Sequence, residues 1–145
     1  MMDVKREPIV AVVGSEGYYE GVKRALEVIE KQVAESLKGK RKVLIKPNFV
    51  STRRDLAVTH VDSVRAVLDV LSRHYSGEIT LGEGPALGSL SDAVERFGYR
   101  RLIDDYGLKV VDLNEDGYVE LEGVDSSLKP LKFRISRTLV ESDYI

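Results

Sequence analysis

Short apolar runs alternate with longer stretches of helical period along this chain, and that alternation restricts the fold more than any single motif does. The runs are Pro8–Val13, Val43–Ile45, Glu78–Leu81 and Leu108–Leu113. Each is too short for a helix and rich in β-branched residues, so each is expected to be a strand, with Pro8–Val13 buried on both faces. Between the first two runs, over Tyr18–Leu37, Val22, Leu26, Ile29, Val33 and Leu37 recur at helical spacing. Lys23, Glu27, Glu30, Lys31 and Glu35 take the opposite face, and Gly39 is the expected stop. Between the second and third runs, Val61, Val64, Leu68 and Leu71 form an equivalent stripe. Ser89–Phe97 and Arg100–Tyr106 predict two shorter helices before the fourth run. The order βαβαβαβ implies an α/β fold, with a mainly parallel sheet of about four strands and helices on both faces.

The pattern changes after Leu113. Tyr118–Glu122 and Leu131–Ile135 alternate apolar and polar residues with period two, which predicts a C-terminal antiparallel hairpin. The chain ends on Asp143-Tyr144-Ile145, an apolar finish that reads as entry into a further strand. A length of 145 residues fits a single α/β domain over residues 1–145.

A net charge of −2 gives no global attraction to nucleic acid or to an acidic membrane. The basic triplet Lys40-Arg41-Lys42 has no interleaved aromatics, so it reads as a solvated connection. No run approaches the roughly 18 apolar residues of a spanning helix, and the N-terminus does not resemble a signal peptide, so the expected location is the cytoplasm. There is no cysteine, hence no disulfide, no thiol nucleophile and no thiolate ligand for an iron–sulfur cluster in this chain. One Gln and two Asn amid abundant Glu, Lys and Arg suit a thermophile.

The chemistry concentrates where strands end. Val43-Leu44-Ile45 delivers Lys46, Pro47 and Asn48 to its own C-terminal tip, and Pro47 cannot continue the ladder. In open α/β sheets ligands sit at that edge, and a lysine there is a mobile point charge with three donors. Thr59 and His60 open the next helix, where free N–H groups favour anions; Thr59 through Asp62 also has the form of a capping box. His74 reads as a polar last-turn residue. The turn Gly82-Glu83-Gly84-Pro85-Ala86-Leu87-Gly88 follows a strand and precedes a helix, with Asp112 near the next strand's end. Its spacing departs from the dinucleotide fingerprint. Glu83 would also repel a pyrophosphate, and Pro85 removes an amide, so its glycines read as serving a tight turn. His60, Asp62, Glu83 and Asp112 are the residues available to a metal, without a diagnostic spacing.

Taken together, Val43-Leu44-Ile45-Lys46-Pro47-Asn48, Thr59-His60, Val64-Arg65-Ala66-Val67, Gly82-Glu83-Gly84-Pro85, Phe97-Gly98-Tyr99, Val111-Asp112-Leu113-Asn114 and Glu141-Ser142-Asp143-Tyr144-Ile145 resemble the family called domain of unknown function 362. The resemblance is spread over residues 9–145 and strongest at Ile45-Lys46-Pro47-Asn48. It implies an N-terminal portion of a longer family domain. Many members are fused to ferredoxin-like modules carrying four-iron clusters, which implies a redox setting, with any cluster in a further C-terminal region or a partner.

The expected function is therefore an α/β module that binds an anionic small molecule through Lys46, Asn48, Thr59 and His60, with Glu83 nearby. Its expected partners are that anion and either a second copy of the chain or a ferredoxin-like protein, with no nucleic acid and no membrane. The alternatives are a metal-dependent hydrolase or transferase using His60, Glu83 and Asp112, and a non-catalytic scaffold.

Overall fold

The computed structural model describes residues 8–145. In chain order the elements are α1 (Tyr18–Val28), α2 (Glu30–Leu37), β1 (Val43–Ile45), α3 (Val61–Leu71), β2 (Ile79–Glu83), α4 (Leu90–Arg96), α5 (Tyr99–Tyr106), β3 (Lys109–Asp112), β4 (Tyr118–Val124), β5 (Pro130–Ser136) and α6 (Arg137–Glu141). They group into two compact units: the described residues up to Lys38 with Asp62–Tyr75, and Gly39–Val61 with Ser76–Ile145.

The first unit is helical. The single helix expected over Tyr18–Leu37 is broken at Ile29, whose φ of −112° and ψ of 16° leave the helical region and whose N–H bonds Leu26 O in a tighter turn. Val28 and Ile29 are adjacent β-branched residues, a pairing that loses side-chain freedom in a continuous helix. Of the expected stripe only Val33 and Leu37 are buried, whereas α3 buries Val64, Ala66, Leu68, Val70 and Leu71. Polar links tie the helices: the Tyr19 hydroxyl donates to Asp69 at 2.6 Å, and Arg73 reaches both Glu27 and Glu30. His74 lies three residues past the end of α3, with Nε2 2.8 Å from Glu30.

Pro8–Val13 is not a strand. It carries no regular structure, and Ile9, Val10 and Val12 are 55%, 82% and 88% exposed. The composition of the run supplies strand propensity, but a strand also needs a neighbour to hydrogen-bond, and no described residue pairs with this one. The parallel sheet therefore has three strands among the described residues, not about four.

That sheet, in order β1-β2-β3, forms the centre of the second unit. Val43, Leu44 and Ile45 align with Ile79, Thr80 and Leu81, and Thr80 through Glu83 align with Lys109 through Asp112. Val43, Leu44 and Leu81 are at most 2% exposed. The outer edge of β1 is met by the chain's last residues. Leu44 N–H donates to Tyr144 O, a parallel bridge joins Val43 to Tyr144, and Asp143 Oδ2 accepts from the Arg41 and Lys42 amides. The expected strand entry at Asp143-Tyr144-Ile145 is thus present as a single bridge. Ser89 caps α4 by accepting from Asp92 N–H, and α5 buries Tyr99, Leu102 and Ile103.

β4 and β5 form the expected antiparallel hairpin; β4 starts where expected and runs on to Val124, and β5 is longer by one residue at each end. Its turn is organised by Asp125, whose Oδ1 accepts from the Ser127 and Lys129 amides. At its base, Asp116 accepts from Ser136 Oγ and Thr138 N–H, and Arg137 N–H donates to Gly117 O. These bonds start α6, a helix of five residues that has no periodic signature in the sequence.

Candidate functional site

The C-terminal tips of the parallel strands lie side by side because their register is fixed by the core residues behind them. β1 ends one residue before Lys46, β2 ends on Glu83, and Asp112 stands opposite Glu83 at the end of β3. Lys46 and Glu83 are 37 positions apart in sequence and meet as an ion pair, Nζ to Oε1 2.9 Å. The same carboxylate oxygen accepts from Phe49 N–H at 3.2 Å. The two partners differ sharply in exposure: the Glu83 side chain is 6% exposed and that of Lys46 is 40%. The pair is therefore a fixed dipole with its negative end inside and its positive end facing water.

The loop after Lys46 is ordered by its own backbone. Phe49 and Val58 form an antiparallel bridge, Val50 N–H donates to Ala57 O, and Thr52 N–H and Leu87 O join this loop to the one after β2. Phe49, 1% exposed, packs its ring edge-on to Tyr99 at 4.9 Å and 81°. The Tyr99 hydroxyl donates to Thr59 O at 2.8 Å, and burial raises its pKa above the ordinary tyrosine value. Lys46 is thus attached to a loop held by a buried aromatic pair.

Of the residues singled out in the sequence, Lys46 and Glu83 are brought together directly. Asn48 and Thr59 are also brought together, as a structural pair. Asn48 N–H donates to Thr59 Oγ1 at 2.9 Å, Thr59 N–H returns to Asn48 O at 2.8 Å, and Asn48 Nδ2 donates to Ala57 O. The Thr59 hydroxyl therefore closes the loop onto Asn48. His60 is exposed at the residue before α3. Asp62 pairs with Arg65 at 3.1 Å. Among the described residues, no three of His, Cys, Asp and Glu stand as a group able to hold a metal ion.

Asn114 has a part that motif reasoning did not single out. Its backbone N–H bonds Asp112 Oδ1, and its side-chain Nδ2 donates to Pro85 O at 3.1 Å, which ties the loop after β3 to the loop after β2. A Cβ on Gly84 would approach the Asn114 amide to 2.5–3.1 Å, so a side chain there would displace that amide from its bond to Pro85 O. Asn two residues past a strand's last carboxylate, with a glycine after the neighbouring strand, is the signal that could have located this contact.

No described helix is long and apolar enough to cross a membrane. No curated protein and no solved structure matches the chain. One family model does match, described as domain of unknown function (DUF362), over residues 43–145. The match begins on the first residue of β1 and takes in the Lys46–Glu83 pair, both strand-tip loops and the hairpin; residues 1–42 lie outside it. The chain belongs to the DUF362 family.

Proposed function

We propose that the tips of β1 and β2 bind an anionic small molecule, with the Lys46 ammonium as the recognising charge. The observation that supports this reading is the exposure difference within the Lys46–Glu83 pair. A buried carboxylate holds the lysine in one place while leaving N–H donors directed to water, so an incoming carboxylate or phosphate meets a charge already positioned. Asn48 and Thr59 keep the loop in shape and act on the ligand through Lys46, and His60 lies at the same end of the loop as Thr59. The redox setting implied by the family resemblance belongs to the same proposal. A four-iron cluster does not fit the residues present, since it needs thiolate ligands and this chain has no cysteine. Any cluster would be carried elsewhere, on a ferredoxin-like partner or a further region.

The test is calorimetric titration of inorganic phosphate and of malonate, at matched ionic strength, into the wild-type chain, Lys46→Arg and Lys46→Met/Glu83→Gln. Wild type should bind both anions, Lys46→Arg should bind more weakly, and the double variant should not bind. Equal heats and affinities in wild type and the double variant would remove Lys46 from the site. No heat for either anion in the wild-type chain would favour the scaffold reading.

A further inference from the structure

The second unit holds a concavity beside β3 that is separate from the strand-tip ion pair, since neither Lys46 nor Glu83 lines it. It is a groove of about 380 Å³, at the low end of the range of about 300–1,000 Å³ for small-molecule sites. Three elements build it, each with two residues on one face. β3 gives Val110 and Asp112, which alternate with Val111 along the strand. α4 gives Leu90 and Val94, and α5 gives Arg100 and Ile103, both pairs at the spacing of one helical turn. Leu90, Val94 and Ile103 are buried, whereas Val110 is 37% exposed although it lies mid-strand. The apolar part of the groove is thus only partly covered by the chain itself.

The two charged residues of the groove have bonding capacity left over. The Arg100 guanidinium turns Nε and Nη2 to one oxygen of Glu95, at 2.8 and 2.7 Å, and its Nη1 has no partner among the described residues. Asp112 accepts from Asn114 N–H through Oδ1, and no described donor meets its Oδ2. A cation and an anion therefore stand on different elements beside one apolar surface. An apolar acid entering the groove would meet Arg100 favourably and be repelled by Asp112, and an apolar amine would meet the reverse. Only a molecule with both charges satisfies both residues, because a ligand with one charge leaves the other group desolvated and unpaired.

We propose that this groove binds a free amino acid with an apolar side chain. The ligand's ammonium donates to Asp112, its carboxylate accepts from Arg100, and its side chain lies against Val94, Ile103 and Val110. The apolar walls supply attraction and the two charges fix orientation, the common division in small-molecule sites. Bonds in which both partners are ionised are the stronger kind, which suits a ligand too small to bury much surface. A guanidinium has more donors than Glu95 uses, so the existing pair orients Arg100 without exhausting it. The small volume favours a single amino acid over a peptide. None of this depends on the anion proposed at Lys46.

The test is a heteronuclear NMR titration of the full chain with L-leucine at about pH 6, where α-amino groups are charged. Leucine should give saturable shifts in the amide signals of α4, α5 and β3. Three further probes each lack one feature: N-acetyl-leucine the ammonium, leucinamide the carboxylate, and glycine the apolar group. Each should bind at least about tenfold more weakly than leucine. Asp112→Asn should weaken leucine by at least about tenfold and leave N-acetyl-leucine no weaker, and Arg100→Gln should do the same for leucine and leucinamide. Neither side chain is buried, and unchanged signals away from the groove check that each variant folds. Should a variant not fold, the four probes on the wild-type chain decide. No saturable shift up to the solubility limit of leucine overturns the proposal. So does N-acetyl-leucine or leucinamide binding as tightly as leucine, or leucine binding that either folded variant leaves unchanged.

Discussion

Exchanging Lys46 for Met and Glu83 for Gln, singly and together, measures how far the strand-tip ion pair is organised from inside. The Glu83→Gln change removes the charge but keeps an oxygen that can accept from Phe49 N–H, and Lys46, 40% exposed, can rehydrate. Its cost should be about 1 kcal/mol, the net value of one charge-assisted contact with a half-exposed partner. Lys46→Met keeps the length of the side chain and removes its charge. That leaves a carboxylate only 6% exposed without its cation. Full burial of such an uncompensated charge costs about 3–5 kcal/mol, and the partial opening toward Lys46 reduces this to roughly 2–3 kcal/mol. The double variant removes the uncompensated charge along with the pair, so it should cost about 1 kcal/mol, less than Lys46→Met alone. The coupling energy is then roughly 2–3 kcal/mol, well above the roughly 0.3–0.5 kcal/mol expected of independent sites.

Urea denaturation followed by circular dichroism reads these values as midpoint shifts at constant slope. In thermal unfolding, at roughly 3–4 °C per kcal/mol for a chain of this size, Lys46→Met should melt about 8 °C below wild type and the double variant about 4 °C below. Raising salt to about 0.5 M should leave most of the coupling intact, because a pair with one buried member is screened weakly. Additive single effects, or a Lys46→Met variant no less stable than Glu83→Gln, would refute the inside-out arrangement and the reading of the site built on it.

Gly88→Ala should destabilise by about 2–4 kcal/mol in urea denaturation, since its φ of +98° strains any L side chain and the new methyl would collide with the buried Thr52 side chain. Leu128→Asn should act oppositely. Leu128 sits at φ +59° in the hairpin turn with 81% exposure, so relieving that strain loses little packing and should raise stability by about 0.5–1 kcal/mol. Acid should weaken the second unit through two carboxylates. The pKa of Asp116 is held below the ordinary 3.8 by the Ser136 hydroxyl and then the Thr138 amide, and that of Asp143 by the Arg41 and Lys42 amides. Depressed carboxylates stabilise fully above their unfolded value and lose that contribution as pH falls through the folded value. The melting temperature should therefore hold to about pH 5 and fall below about pH 4, and Asp116→Asn with Asp143→Asn should lower the plateau and flatten the fall.

The elements legible in the sequence were those whose determinants are local. β1, β2 and β3 announce themselves by short apolar runs, α4 by Ser89 and Asp92, and the hairpin by strict alternation, because strand propensity, a cap and a half-exposed sheet each have a short-range signature. Pro8–Val13 carries the same signature as β1 and folds differently, since propensity describes what a segment can pair with and says nothing of whether a neighbour is present. α6 had no signature because its start is set by Asp116, some 20 residues upstream. The site divides along the same line. Lys46 was legible as a cation at a strand's end, whereas the feature that gives it meaning, a buried carboxylate partner, arises only when parallel register sets residue 83 beside it. Asn48 and Thr59 have side chains suited to a ligand and also suited to closing a loop; the Thr59 hydroxyl accepts from the Asn48 main-chain N–H and the Asn48 side-chain amide donates to Ala57 O, so loop closure uses both groups. An open strand end can hold a charge outward only if the loop behind it cannot relax around that charge. The buried Phe49–Tyr99 pair supplies that stiffness, which makes the aromatic pair as much a determinant of the site as the lysine it supports.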